Sequence, residues 1–114
     1  MCGIFGIIDS NIESKKEILQ RMSHVLQHRG PDGTGIHYFD DGALGHTRLN
    51  VIDLISGDQP MLTADGDVGL TFNGEIYGFK EIKKSLSYKF KTNSDTEVIL
   101  ALYQTNGMKL LDTL

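Results

Sequence analysis

The chain has one cysteine, so no disulfide can form within it, and that composition fits a reducing compartment. A cytoplasmic location is the expectation. An excess of basic charge is also missing: 11 Lys and Arg stand against 15 Asp and Glu, for a formal net charge of -4. Phosphate-rich partners need a positive field, so nucleic acid is excluded. Lys80, Lys83, Lys84, Lys89 and Lys91 do form a basic stretch, but Glu81 interrupts it and the pattern is that of a solvated helix face. Long hydrophobic runs are absent. The apolar segment at the N-terminus is short and broken by Gly3 and Gly6, so neither a signal peptide nor a membrane span is expected. His24, His28, His37 and His46 lack the tight spacing of a zinc site, and Asp65-Gly66-Asp67 lacks the ligand positions and closing glutamate of a calcium loop. No metal is assigned. With no internal repeat, linker or low-complexity tract, 114 residues suit one domain able to bury roughly two-thirds of its unfolded surface.

Hydrophobic periodicity then supplies the elements. Cys2 to Ile8 reads as a strand whose glycines permit a close approach. Ile18, Leu19, Met22, Val25 and Leu26 recur on one helical face, which predicts a helix packed over a sheet and stopped near Gly30-Pro31. Gly35 to Phe39 and Ala43 to Leu49 form a hairpin around Asp40-Asp41-Gly42, and Met61 to Asn73 a second one around Asp65-Gly66-Asp67. Lys80 to Leu86 predicts a short helix and Tyr88 to Lys91 a short strand. A last helix begins at Asn93-Ser94, where Ser94 and Glu97 have the spacing of a capping box, and ends at Asn106-Gly107. Strands and helices without strict alternation predict an α+β fold.

Chemistry starts at Cys2. Removal of Met1 would leave a thiol and a free α-amine on one residue, a nucleophile carrying its own base. An α-amine ordinarily titrates near ~7.7–8.0 and a thiol near ~8.5, so both are within reach of the forms that acyl transfer needs. Cys2 can equally be a small hydrophobe at the start of a strand.

Five segments occur in order: Cys2-Gly3-Ile4-Phe5-Gly6, His28-Arg29-Gly30-Pro31-Asp32-Gly33, Gly45-His46-Thr47-Arg48-Leu49, Phe72-Asn73-Gly74-Glu75-Ile76-Tyr77 and Ser94-Asp95-Thr96-Glu97. Together they resemble the glutaminase domain of class II glutamine amidotransferases. With Gly57-Asp58-Gln59-Pro60-Met61, they look most like the asparagine synthetase branch. That resemblance implies an N-terminal-nucleophile hydrolase fold, an αββα sandwich, and hydrolysis of glutamine to glutamate and ammonia through a thioester on Cys2. It implies an oxyanion hole at Asn73 and Gly74, where the plain alternative is a strand-ending turn. It also implies that Arg48 grips the glutamine α-carboxylate with its planar fork and that Asp95 takes the α-ammonium, with Glu75 in support. Asp95 also suits the positive end of a helix dipole. Leu49, Asn50, Val51 and Ile52 would line the pocket. Arg29 either closes near Cys2 or stands as a surface arginine.

The matched segments depart from the family at Gly78, where a polar residue is usual. The family's glutaminase domains are also longer, so the resemblance implies that residues 1–114 are the N-terminal part of a type 2 amidotransferase domain, truncated at its C-terminal end and with the synthetase domain absent, whether as a fragment of a larger product, a compact variant that folds alone or a subunit that borrows strands from a partner. The chain itself is expected to need no cofactor, since ATP and Mg belong to the missing synthetase domain. Glutamine, a synthetase domain or subunit, and a second copy of the chain are the candidate partners. Two other readings stay open: a non-catalytic glutamine-binding or docking module, and an N-terminal-nucleophile hydrolase acting on another amide.

Overall fold

A computed structural model describes residues 1–49 and 57–114. The first half forms strand β1 (Gly3–Ile8), a 3-10 turn (Ile12–Lys15), helix α1 (Lys16–Leu26), and strands β2 (Gly33–Phe39) and β3 (Gly42–Arg48). The second half forms β4 (Met61–Leu62), β5 (Gly69–Leu70), α2 (Phe79–Ser85), α3 (Asp95–Asn106) and a closing 3-10 segment (Gly107–Asp112). The expected α+β class is observed.

Strand β3 lies at the centre of a three-stranded antiparallel sheet ordered β1-β3-β2. Gly3 and Thr34 both stand opposite Thr47, while Gly33 stands opposite Arg48. Alternation along β1 turns Phe5 and Ile7 inward and leaves Ile4 and Ile8 exposed. Phe5 and Ile7 join Met22, Ile36 and Tyr38 around the buried core of Ile12, Leu19 and Ala43. Full burial of a residue such as Leu19 is worth about 1.5–3 kcal/mol. Gly45 has to be a glycine here, because the Phe5 ring lies where its Cβ would be, at 2.1 Å.

The predicted second hairpin is present as β4 paired with β5, and its turn places Gly66 at φ 77°, a conformation that glycine adopts without strain. The Asp65 carboxylate accepts from the Asp67 N–H at 3.0 Å and the Thr63 hydroxyl at 2.6 Å, closing that turn. Helix α3 packs against this hairpin, against α2 and against the closing 3-10 segment. Val98, Leu102 and Leu110 form its core, flanked by Phe79, Ile82, Leu86, Phe90 and Ile99. Among the described residues no helix is long and apolar enough to cross a membrane.

Two local expectations need correction. Tyr88 to Lys91 is not a strand. Its backbone turns to a side chain instead: the N–H groups of Lys91 and Thr92 donate to the Glu97 carboxylate at 2.8 and 2.7 Å. For the same reason Ser94 and Glu97 do not form a reciprocal capping box. Ser94 Oγ accepts from the Thr96 N–H at 3.2 Å, while Glu97 reaches past the cap to Lys91 and Thr92.

Candidate functional site

Cys2 enters beside the end of β3 because β1 pairs with that strand from Gly3 onward. Its side chain is half-buried, and the Leu49 N–H points at Sγ from 3.4 Å, with the Leu49 carbonyl at 4.0 Å. A backbone donor aimed at sulfur suits a sulfur that carries negative charge. The Cys2 carbonyl accepts from Arg29 Nε at 3.1 Å, so Arg29 closes on the cysteine rather than standing free at the surface. The local sequence explains why it can. At Gly30 a Cβ would stand only 2.3–2.4 Å from the Thr47–Arg48 backbone, so glycine lets the loop after α1 lie flat on β3. Thr47, fully buried, then donates through Oγ1 to the Leu26 carbonyl at the end of α1, at 3.2 Å.

Arg48 closes β3, and its backbone carbonyl accepts from the Asp32 N–H at 2.9 Å. Its guanidinium is mostly covered and pairs through Nη1 with Asp58 Oδ1 at 2.7 Å, whereas the Asp58 side chain is 94% exposed. Gly57 makes that approach feasible, since even a Cβ there would come within 3.1 Å of Nη2. A cavity of about 410 Å³ opens beside this pair, lined by Asp32, Gly35, His46, Arg48, Asp58 and Gln59. Its size is that of a small-molecule site. Of the expected glutamine contacts, Arg48 alone lines it among the described residues. A second hollow of about 420 Å³ lies between β1 and α1, but its walls are mostly apolar.

Asn73, Gly74 and Glu75 are exposed on an irregular segment. Gly74 is crowded by the Phe72 ring, where a Cβ would stand 2.7 Å from the ring edge. Asp95, at the first turn of α3, accepts from the Ile76 N–H at 2.8 Å and ties this segment to the helix. The segment meets β3 upstream as well: Thr71 Oγ1 donates to the Gly45 carbonyl at 3.1 Å, and the Phe72 N–H to Gln59 Oε1 at 2.5 Å. The structure therefore joins Cys2 with Arg29 and Leu49 directly, and joins Asp95 with the Asn73–Ile76 segment directly. The two groups connect through β3. Asn50, Val51 and Ile52 lie outside the described residues.

His46, which no local pattern in the sequence singles out, is buried beside Thr47, at 1% exposure. Burial lowers its pKa below 6.5; a backbone hydrogen bond to Phe72 opposes the shift, and the Arg48 cation adds to it. Nε2 has no hydrogen-bond partner among the described residues. Asp58 and Gln59 were visible only as part of a motif, and no local pattern announced their partners. Among the described residues no cluster of three or more His, Cys, Asp or Glu is arranged to hold a metal ion.

Comparison with known proteins supplies the remaining observation. A family model described as a glutamine amidotransferase domain matches residues 1–114. The chain is 41% identical over 117 residues to asparagine synthetase [glutamine-hydrolyzing] 3 of Arabidopsis thaliana and 45% identical over 118 residues to asparagine synthetase [glutamine-hydrolyzing] 2 of Oryza sativa subsp. japonica. It is 42% identical over 118 residues to asparagine synthetase [glutamine-hydrolyzing] of Zea mays. Each alignment covers 100% of this chain and 20% of the relative, so the chain spans about one fifth of their length. Matched over its whole extent, the chain belongs to the glutamine amidotransferase domain family.

Proposed function

We propose that this chain hydrolyses glutamine to glutamate and ammonia through Cys2. The observation that carries the reading is the convergence on that residue: the Leu49 N–H on its sulfur, Arg29 on its carbonyl, and Arg48 next along the strand that holds it. Removal of Met1 frees the α-amine as the base. The sulfur attacks the side-chain amide carbon of glutamine, forming a C–S bond and an oxyanion that receives donors from the Asn73 side chain and the Gly74 N–H. Collapse breaks the C–N bond, and the amine-held proton leaves with ammonia. Water then cleaves the thioester, releasing glutamate and restoring the thiol.

Selectivity rests on the two charged ends of the amino acid. Arg48 takes the α-carboxylate in place of Asp58, and Asp95 takes the α-ammonium while keeping Ile76, with Glu75 in support. Leu49, Asn50, Val51 and Ile52 complete the wall. The ammonia is used to form asparagine from ATP-activated aspartate, a step assigned to a synthetase domain or subunit outside these residues, where ATP and Mg would act. Residues 1–114 are then the N-terminal part of a type 2 amidotransferase domain, whose αββα sandwich includes the two sheets and the helices described here. The setting is cytoplasmic.

Ammonia release from glutamine by the wild-type protein, set against a Cys2→Ala variant, tests this. Loss of release in the variant is expected, and equal release from both would end the catalytic reading. Glutamine binding without any release would favour a sensor or docking module. Activity on another amide that survives Arg48→Ala would point to a different hydrolase. Intact mass spectrometry should find Met1 removed in the active form.

A further inference from the structure

Cys2, Arg48 and Gly33 stand in a row across the end of the three-stranded sheet. Gly33 on β2 is paired with Arg48 on β3, and Cys2, one position before the Gly3–Thr47 pair, falls level with Arg48 on the β1 side. Residues directly opposite in an antiparallel ladder point to the same face, so the row shares the face on which His46 and Arg48 lie. Neighbouring strands are about 4.7–4.9 Å apart. An extended glutamine covers about 5 Å from its amide carbon to its α-carboxyl carbon, so an amide held at the β1 side of Arg48 leaves the amino-acid end over Arg48 and towards β2. The cavity of about 410 Å³ lies on that side: among the described residues its walls include Gly33 and Arg48 but not Cys2.

Both Gly33 and Gly35 line this cavity, and they differ in what calls for glycine. At Gly35 the cause is packing, since a Cβ would stand 2.1 Å from the Gln59 carbonyl oxygen. At Gly33 a Cβ would meet nothing within 4 Å among the described residues, and φ lies outside the left-handed region. Neither a close approach nor a turn therefore requires glycine at position 33, where it costs a strand conformational entropy relative to alanine. What glycine does provide there is open space opposite Arg48, in the wall of the cavity.

We infer that Gly33 is a specificity-determining residue of the amino-acid subsite: by carrying no side chain it keeps open the room beside Arg48 in which the α-carboxylate end of the substrate lies. The identity of that substrate rests on the glutaminase reading, but the open approach to Arg48 does not. Gly33→Ala and Gly33→Leu, made in the full chain, fill the space in two steps. KM for glutamine is expected to rise about threefold in the first and about 10- to 100-fold in the second, with kcat within about threefold of wild type, because a group that obstructs binding away from the reacting atoms weakens ground state and transition state alike. The urea midpoint of Gly33→Ala should not fall. Phenylglyoxal, a dicarbonyl that modifies guanidinium groups, reads the approach apart from turnover: by peptide mass, Arg48 should be labelled several-fold more slowly in Gly33→Leu than in wild type, with the exposed Arg21 as internal reference. Unchanged KM and unchanged labelling in Gly33→Leu would overturn the proposal. So would a lowered urea midpoint in Gly33→Ala, which would make the glycine a packing requirement. Wild-type protein that is labelled at Arg48 yet releases no ammonia would end the glutaminase reading, and the labelling comparison would still decide whether position 33 controls the approach.

Discussion

Glu97 offers a direct energetic test of how α3 is anchored. It is 3% exposed, and its carboxylate accepts three hydrogen bonds: from the Lys91 N–H at 2.8 Å, the Thr92 N–H at 2.7 Å and the Thr92 hydroxyl at 2.6 Å. Hydrogen bonds to a charged group are each worth about 1.5–3 kcal/mol net. The three share one acceptor group, and Lys91 is exposed enough for water to replace part of the loss. Glu97→Ala should therefore cost about 3–4 kcal/mol rather than the full sum. Glu97→Gln keeps one oxygen and turns an NH2 towards a donor that the Thr92 hydroxyl can only partly accommodate, so about 2 kcal/mol is expected. Urea denaturation with a constant slope gives both values directly. A loss below about 1 kcal/mol for Glu97→Ala would refute the assignment of Glu97 as the anchor of the segment leading into α3. Asp95 lies two residues earlier on the same turn, so KM for glutamine should rise in the alanine variant even at temperatures where it remains folded.

Other expectations follow from the same geometry. Arg48→Lys should raise KM for glutamine about 10- to 100-fold in steady-state assays, because a point charge cannot reproduce a planar bidentate grip. Asp58→Asn removes the carboxylate already on Arg48. Since Asp58 is 94% exposed and such pairs are worth about 0–1 kcal/mol, KM should fall by no more than about fivefold, and a rise would contradict the competition. Gly30→Ala forces a methyl into the Thr47–Arg48 backbone and should lower stability by at least about 1–3 kcal/mol, measured as a shift of the urea midpoint. His46 has a lowered folded-state pKa, so as pH falls below 6.5 the unfolded chain takes up its proton first. Its stability contribution is present above 6.5 and is lost as pH falls through the folded value. Urea midpoints compared between pH 7.5 and 5.5 should drop less in His46→Asn than in wild type.

Local rules made much of this architecture legible in advance. The period of Ile18, Leu19 and Met22 located α1, Asp41-Gly42 located the first hairpin, and Asp65-Gly66 located the second, because each depends on neighbours in sequence. Ser94 was recognisable as a cap for the same reason. The failures share the opposite cause. Tyr88 to Lys91 has strand composition, yet its backbone is committed to Glu97, a choice that only tertiary proximity can make. Within the site, Cys2, Arg48 and Asp95 stood out through their chemical types and their resemblance to known motifs. The Asp58 partner of Arg48 and the Gln59 partner of Phe72 stand 10 and 13 positions away in the chain, and no periodicity encodes such pairings.

Strand β3 touches β1 on one edge and β2 on the other, and the residues around the cysteine take their places from that shared ladder. A slip of one position between β1 and β3 would carry the sulfur about 3.4 Å along the strand and turn it to the opposite side of the sheet. Length changes should accordingly be tolerated unevenly: additions at the Asp40-Asp41 bend leave the ladder intact, whereas one residue inserted between Gly3 and Ile8 separates the thiol from the Leu49 amide. The spacing from Cys2 to the first helix is thus a mechanical dimension of the site, as binding as the identity of any side chain in it.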